Sequence, residues 1–169
     1  QSWRPGIRES LVRTWCAALC AEIVTRSHGV ADWRLVNGFL DGIAVAGDDE
    51  CRMGILRFIW RILAAAGIAP DVSRCSRCGA TPQNTVLYYS PLDDSCACER
   101  CARPEERGFP LSGEATRYLM AIDELSPGEV RSIRLPEGDY ADIRGFLFFL
   151  ATRMIGGGLK TLETGEGII

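Results

Sequence analysis

The sequence predicts a mainly α fold, a helical bundle-like domain interrupted by one small four-cysteine zinc ribbon or hairpin. Apolar residues recur at helical spacing on both sides of the interruption, and two Cys-x-x-Cys motifs lie nineteen residues apart between them. With 169 residues, 47% of them apolar, the chain is long enough to bury a core. The expected division is a first helical half at 1–72, the cysteine insertion at 73–104, a second helical half at 105–158 and a flexible tail at 159–169.

Three helices are expected before the cysteines. The first covers residues 8–26, and its apolar face is formed by Leu11, Trp15, Leu19 and Ile23, which recur every four positions. The second covers about residues 32–47. The third covers residues 48–66, and the acidic side chains in its first turn suit the positive end of the helix dipole. It is apolar nearly all round, which predicts the central helix of the core, and Gly67 ends it.

The cysteine segment is expected to be a β-hairpin held by a metal ion. Residues 85–90 are rich in strand formers, and residues 91–95 have the composition of a turn. Each Cys-x-x-Cys motif supplies two thiolates from a tight turn, and a hairpin brings the two turns together. The predicted ligands are Cys75, Cys78, Cys98 and Cys101. Four sulfur ligands leave no position for water or substrate, so we predict one structural Zn²⁺ ion, which supplies on the order of 10 kcal/mol to folding.

The other cysteines leave alternatives to this ligand set. An even count of eight cysteines is compatible with disulfides, but a disulfide framework is typical of shorter secreted chains. Cys96 places a fifth thiol beside the second motif; the two-residue spacing favours Cys98, and Cys96 stays open as a spare ligand. Cys16 and Cys20 lie four apart on an apolar helical stripe, so we expect them to be small buried hydrophobic residues.

No catalytic pattern is recognisable. The single histidine, His28, adjoins Gly29 at an expected helix end, and no second histidine is present to form a triad with it. Cys51 lies in helical context and nothing recommends it as a nucleophile. Glycines 156–158 follow a helix, whereas a phosphate-binding loop follows a strand. We therefore expect no enzyme activity, and no apolar run is long enough to span a membrane.

Helices are expected to return after Pro110. Ser112 caps a helix whose apolar residues are Tyr118, Leu119, Ile122 and Leu125. Residues 126–129 match a capping box with proline at the first helical position. Asp139 is expected to cap the last long helix, which the glycines at 156–158 end. The glycine-spaced residues after it predict a partly ordered tail.

The charge balance weighs against strong nucleic-acid binding by this chain alone. Nineteen Lys and Arg residues oppose 22 Asp and Glu residues, which gives a formal net charge of −3 and no basic excess to attract a polyanion. Lys160 is the single lysine. Reduced thiols and zinc both fit a cytoplasmic location. The chain begins at Gln1 rather than at methionine, so we expect an N-terminal portion to precede it.

Several short motifs follow one another in a distinctive order. The order is LAAAGIAPD at 63–71, RCSRCG at 74–79, YSP at 89–91, CERC at 98–101, LSP at 125–127 and LKTL at 159–162. This order closely resembles the C-terminal region of the bacterial recombination mediator RecO, and the similarity covers nearly the whole chain. The resemblance includes the four-cysteine zinc-binding region inserted in a helical domain.

The resemblance implies a DNA-repair accessory protein, a non-catalytic scaffold of the bacterial cytoplasm and nucleoid. RecO proteins bind DNA, anneal strands coated by single-stranded-DNA-binding protein, and act with RecR to load RecA at gaps. The family places its main DNA-binding OB fold ahead of the helical domain, and no strand-rich segment of that kind occurs here. The resemblance therefore implies that DNA is bound mainly through a missing N-terminal domain.

Partner surfaces are predicted less directly. Family members dock the acidic, apolar C-terminal tail of single-stranded-DNA-binding protein, and Arg144, Arg153 and Lys160 are candidates for the rim of such a site or for ordinary solvated charges. Four arginines adjoin the predicted ligands and either offset the charge of a tetrathiolate site or contact phosphate: Arg74, Arg77, Arg100 and Arg103. The alternative function is a zinc-ribbon nucleic-acid-binding module of a transcription or translation factor, although an isolated ribbon needs no large helices on both sides.

Overall fold

The structure is a computed structural model that describes residues 3–27, 29–165 and 167–169, the side chain of Asn84 excepted. The chain divides into two compact units, one formed by Gln1–Ile68 and Phe148–Ile169 and the other by Ala69–Leu147. The mainly α fold predicted from the sequence is confirmed. His28, interpreted as a loop or cap residue, lies outside the described residues.

In the described residues of the first unit, all regular secondary structure is helical. Its elements are a 3₁₀ helix at Pro5–Glu9, α1 at Leu11–Arg26, α2 at Trp33–Ile43, α3 at Asp48–Ala65, the end of α6 (Glu137–Ile155), and α7 at Lys160–Thr164. Helices α1 and α2 both contact α3. Eight apolar side chains of α3 are buried, which confirms the prediction of a central helix: Cys51, Ile55, Leu56, Phe58, Ile59, Trp60, Ile62 and Leu63. After α3, Gly67 adopts a φ of +70°, the left-handed conformation that ends a helix.

The buried face of α1 differs from the predicted face. Leu11 is the first residue of the helix and is 63% exposed. The buried side chains are Val12, Cys16, Leu19, Cys20 and Ile23. Because an α-helix advances about 400° in four residues, a strict four-residue spacing drifts by about 40° at each step and leaves the core face. The expected burial of Cys16 and Cys20 is confirmed.

The second unit combines a small sheet with helices. Its strands are β1 at Leu87–Ser90, β2 at Ser95–Cys98 and β3 at Phe109–Leu111, with 3₁₀ helices at Pro82–Asn84 and Pro104–Glu106. Its helices are α4 at Gly113–Glu124, α5 at Pro127–Ser132 and the first part of α6, which covers Glu137–Ile155. Both strand pairs are antiparallel, in the order β2-β1-β3. Among the described residues, no helix is long and apolar enough to cross a membrane.

Strand β3 was not predicted from the sequence. Pro110 lies in its middle and has no N–H to donate, which disfavours a strand assignment. The structure accommodates Pro110 because β3 is an edge strand with β1 on one side. The ring centres of Tyr89, Phe109 and Phe146 lie within 6.3 Å of one another, so β3 is also fixed by aromatic packing within the unit.

The helix caps follow the sequence with one exception. Ser112 accepts a hydrogen bond from the backbone N–H of Ala115, and Ser126 and Glu129 form the predicted capping box. Asp139 does not cap α6, because the helix begins two residues earlier at Glu137. Its carboxylate instead accepts a hydrogen bond of 2.6 Å from the Ser112 hydroxyl.

The last residues of the chain are more regular than the sequence predicted. Residues 160–164 form α7, and the side chains of Leu159 and Ile169 are 1% and 5% exposed. The Glu22 carboxylate accepts hydrogen bonds from the backbone N–H groups of Lys160 and Thr161, both at 2.9 Å. A side chain that lies more than 130 positions away in sequence therefore fixes this segment, and local composition does not reveal it.

Candidate metal centre

The two Cys-x-x-Cys motifs meet at one point in the second unit. The first motif lies in the loop after α3, and the second begins at the last residue of β2. The sulfur atoms of four cysteines lie within 4.8 Å of one another: Cys75, Cys78, Cys98 and Cys101. In the described part of the chain, no other group of three or more His, Cys, Asp or Glu side chains has this geometry. These are the four residues that the sequence predicted as ligands.

The distance between the sulfur atoms suits tetrahedral coordination of a metal ion and not a disulfide bond. The Sγ atoms of Cys78 and Cys98 are 3.7 Å apart, whereas a disulfide needs about 2.05 Å. A tetrahedron with metal–sulfur bonds of about 2.3 Å has edges of about 3.8 Å. All eight cysteines are free thiols, so the disulfide alternative is not supported. The arrangement is one that could hold a metal ion.

Backbone hydrogen bonds form the two ligand turns. The N–H of Gly79 donates to the carbonyl of Cys75 at 2.9 Å, and Gly79 has a φ of +72°, which the tight turn requires. In the second turn, the N–H of Cys101 donates to the carbonyl of Cys98 at 2.8 Å. The N–H of Ser76 donates to the carbonyl of Cys96 at 2.9 Å, so the first turn is tied to β2.

The environment of the sulfur atoms favours thiolates at two positions. Burial raises the pKa of Cys75, but backbone N–H groups of Cys98, Cys78 and Arg77 donate to its sulfur and lower the pKa to about 6. The pKa of Cys98 is lowered in the same way, against the effect of burial. Hydrogen bonds shared with Cys78 and Cys98 raise the pKa of Cys101 to about 12. Four thiolates at this distance repel one another, so a cation is needed before all four lose their protons.

Cys96 is separate from the group of four. Its side chain is 2% exposed, and burial raises its pKa to about 12. It pairs with Tyr89 across the β1–β2 ladder. A buried, protonated thiol within a strand is suited to packing rather than to metal binding.

The arginines near the motifs contact carboxylates and backbone carbonyls. Arg77 donates to the Cys101 carbonyl at 2.5 Å and to Glu106 Oε1 at 2.7 Å. Arg74 donates to Asp71 at 3.3 Å. Asp71 and Glu106 therefore neutralise part of the positive charge of Arg74 and Arg77. From the sequence, that charge was expected to offset the thiolates or to contact phosphate. Glu106 was missed, because it lies 29 positions from Arg77 and no local motif connects them.

Arg107 was also not identified from the sequence. Its guanidinium carbon lies 5.1 Å from the centre of the Tyr88 ring, and it donates to the carbonyl of Glu99 at 2.9 Å. Arg107 therefore braces the turn between the two second-motif cysteines against β1. The sequence signal for this role is weak, since arginine is common throughout the chain.

The three predicted rim residues of a tail-binding site are spread over both units. Arg144 belongs to the second unit, and Arg153 and Lys160 belong to the first. The Arg153 guanidinium lies 5.6 Å from the centre of the Phe149 ring. Lys160 is the first residue of α7. Their assignment to a common site stays a prediction.

The fold and the site together define a class: a helical protein with an inserted four-cysteine metal ribbon. The chain belongs to the family described as "Recombination protein O C terminal", whose model matches residues 8–163. The resemblance found in the motif order is therefore confirmed.

Individual relatives agree with the family assignment. Proteins named "DNA repair protein RecO" from Oceanobacillus iheyensis and Bacillus subtilis are 24% and 23% identical over 145 residues, which is 84% and 82% of this chain and 55% of each relative. The protein of the same name from Anaeromyxobacter sp. (strain K) is 29% identical over 125 residues, 70% of this chain and 48% of the relative. The chain spans about half the length of the curated relatives it matches.

Proposed function

We propose that this chain is the helical, zinc-stabilised part of a DNA repair and recombination mediator. In this role it is a non-catalytic cytoplasmic scaffold that acts with RecR and single-stranded-DNA-binding protein in strand annealing and RecA loading. The main contact with DNA is made by a part of the protein outside this chain. The observation that carries the proposal is the four-sulfur cluster, together with the family match over residues 8–163.

The donor set supports zinc as the metal and structure as its role. Cys75, Cys78, Cys98 and Cys101 offer only sulfur, which zinc accepts in tetrahedral structural sites. A catalytic zinc keeps one position for water, and four thiolates leave none. The Zn²⁺ ion would hold the two ligand turns together. It would thereby stabilise this small hairpin, which cannot bury a large core of its own.

The other cysteines support a non-catalytic role. Cys16 and Cys20 are buried, and burial raises the pKa of both thiols to about 12. Burial also raises the pKa of Cys51, which has no exposed surface. A nucleophilic cysteine needs the thiolate form and access to substrate, and these three side chains have neither.

A free-standing zinc-ribbon module is less well supported. Strand β3 adds to the ribbon sheet from outside the two motifs, and the ring centre of Phe146 in α6 lies 5.0 Å from that of Tyr89 in β1. The ribbon is therefore packed against helical residues of its own unit. Arg74 and Arg77, the basic residues of the first turn, contact carboxylates, which reduces the charge they offer to phosphate.

The described grooves do not identify a docking site for the acidic tail of single-stranded-DNA-binding protein. A groove of about 360 Å³ between α4 and the segment that follows α5 is largely apolar, but its charged lining residues are Glu114, Arg117 and Glu124. A second groove, of about 630 Å³ in the first unit, has the charged lining residues Arg4, Glu9, Arg13 and Asp41. Neither set has the positive excess that an acidic peptide prefers.

Removal of one ligand tests the metal assignment. Cys78→Ser and Cys101→Ser should each abolish stoichiometric zinc binding, because three sulfur atoms cannot complete the tetrahedron. The measurement is metal content by atomic emission after dialysis, with amide hydrogen exchange to detect loosening of β1 and β2. Cys96→Ala is the matched control and should keep one zinc per chain. Unchanged zinc in both serine variants would contradict the assignment.

A further inference from the structure

The first ligand turn carries a side chain that reaches the second ligand turn. Arg77 lies between the two cysteines of the first motif, and its Nη1 donates to the carbonyl oxygen of Cys101 at 2.5 Å. Its Nη2 donates to Glu106 Oε1 at 2.7 Å and lies 3.8 Å from Asp93 Oδ2. One planar group therefore connects both ligand turns, the turn between β1 and β2, and the 3₁₀ helix that precedes β3.

Glu106 is itself held in place by the backbone. Its second carboxylate oxygen accepts a hydrogen bond of 2.9 Å from the N–H of Arg103. Its side chain is 13% exposed, and that of Arg77 is 35% exposed. Because the acceptor is fixed and mostly shielded, the Arg77–Glu106 pair is a more rigid connection than a pair of freely solvated side chains.

This connection lies on the accessible side of the sulfur cluster. Cys75 and Cys98 are each 1% exposed, whereas Cys78 is exposed and Cys101 is half-buried. Arg77 directly precedes Cys78 in the chain and hydrogen-bonds the carbonyl of Cys101. A metal ion held by the four sulfurs would be reached by water and competing chelators from this side, where Cys78 and Cys101 are accessible.

We propose that Arg77 is a positioning residue of the metal centre, which clamps the two accessible ligand turns together against Glu106 and so slows metal release. The inference rests on the metal assignment of the proposed function. A guanidinium suits this role because its fixed, planar donors serve two acceptors at once, which a lysine cannot reproduce. Its positive charge also opposes the −2 charge of a tetrathiolate zinc site.

The test compares metal affinity and release in variants of the full chain. Arg77→Ala should lower zinc affinity and raise the rate of transfer to a chelator, each by roughly tenfold, the lower end of the range for residues that orient metal ligands. Arg77→Lys should recover part of the loss, since a cationic donor remains, although its single nitrogen cannot reach both acceptors in the geometry of the guanidinium. Glu106→Gln should have a smaller effect, because an acceptor oxygen is kept.

Arg74→Ala is the matched control. Arg74 lies in the same segment, and its described side-chain partner is Asp71 rather than the second turn, so zinc affinity should not change. Co²⁺ substitution supplies a second readout. The absorption bands of tetrahedral Co²⁺–thiolate should keep their positions in Arg77→Ala, because the four ligands are the same, while the Co²⁺ affinity falls.

The outcomes separate the inference from the metal assignment. Equal zinc release from Arg77→Ala and Arg74→Ala would overturn the role of Arg77 and leave the four-cysteine site intact. A wild-type chain that binds neither zinc nor Co²⁺ would overturn the metal assignment, and the role of Arg77 with it. If Arg77→Ala does not fold, Arg77→Lys and Glu106→Gln provide the test. Zinc release at the wild-type rate from both variants would refute the proposed role of Arg77.

Discussion

At the residue scale, two charged side chains make contacts that organise distant parts of the chain. Arg77 joins the two ligand turns, and Glu22 joins α1 to the start of α7. Glu22 accepts from two backbone N–H groups and from the Thr161 hydroxyl at 2.7 Å, and it pairs with Arg26. Arg26 in turn donates to the carbonyl of Gly158 at 2.6 Å. Glu22 thus replaces the cap that the short helix α7 lacks in its own sequence.

Glu22→Gln should reduce the free energy of unfolding by about 1–2 kcal/mol at pH 7, because one charged acceptor is lost. Partial burial raises the pKa of Glu22, but hydrogen bonds from Thr161, Lys160 and Arg26 lower it to about 2. Because the pKa of Glu22 is lower in the folded chain than the unfolded value of about 4.3, the carboxylate stabilises the folded chain above about pH 4.3. This stabilisation is lost as the pH falls towards 2. The difference between wild type and variant should therefore be constant from pH 7 to 5 and shrink below that.

Urea unfolding at several pH values measures this difference. Glu163→Gln is the control, since Glu163 is exposed and lies in α7 itself; it should change the free energy of unfolding by less than about 0.5 kcal/mol at any pH. A wild-type advantage over Glu22→Gln that stays constant down to pH 3 would be inconsistent with a carboxylate held by these hydrogen bonds.

At the element scale, the addition of β3 to the sheet depends on close packing around Gly108. A Cβ atom at this position would lie 2.7 Å from the carbonyl oxygen of Tyr89 and 2.7 Å from Cδ of Pro91. Both atoms belong to the end of β1 and the turn after it, so they cannot move without disturbing the β1–β3 pairing, in which Tyr89 is opposite Phe109.

Gly108→Ala should therefore destabilise the chain by about 1–3 kcal/mol, the usual effect of overpacking. Gly138→Ala is the matched control: the site is in α6 and nothing lies within 4 Å of a Cβ there. That variant should be neutral or more stable by up to about 1 kcal/mol, because alanine is the better helix former. Chemical denaturation measures the free energy of unfolding of the two variants. Equal values would show that β3 can lie farther from β1 without loss of stability.

The elements also show how far sequence reasoning extends. The third helix, the capping box at Ser126 and Glu129, and the two-strand hairpin were predicted correctly, because each depends on residues close together in sequence. Strand β3 was not predicted, since Pro110 argues against a strand unless the strand lies at a sheet edge. The start of α6 was misplaced because Asp139 has the composition of a cap but bonds to Ser112.

At the scale of the whole molecule, the open question is where the C-terminal tail of single-stranded-DNA-binding protein would bind. A family role in repair predicts binding of a peptide with the acidic, apolar end of single-stranded-DNA-binding protein. Such binding combines apolar burial with charge attraction, so it should weaken as salt increases. Calorimetry at two salt concentrations measures it. A peptide of the same composition in scrambled order is the control, and no binding in low salt would leave the partner without support.

The charge of the whole chain is negative, so an acidic peptide depends on local positive charge for attraction. The net charge is −3, and several arginines pair with acidic side chains: Arg4, Arg13, Arg26, Arg52, Arg57, Arg74, Arg77 and Arg117. Arg153→Glu and Arg144→Glu, which reverse the charge of two rim residues predicted from the sequence, are the variants to compare with wild type in the peptide experiment. Loss of binding in one of them alone would assign the tail to a single unit.

The sequence by itself determined the long helices, the capping box at Ser126 and Glu129, and the four thiols that meet at the ribbon, because periodicity, capping and the Cys-x-x-Cys turn act over a few neighbouring residues. Only the tertiary structure decided that β3 joins the sheet, that Glu22 holds α7, and that Arg77 reaches Glu106. These contacts join residues that are distant along the chain, and their geometry is set by packing, which no local pattern records.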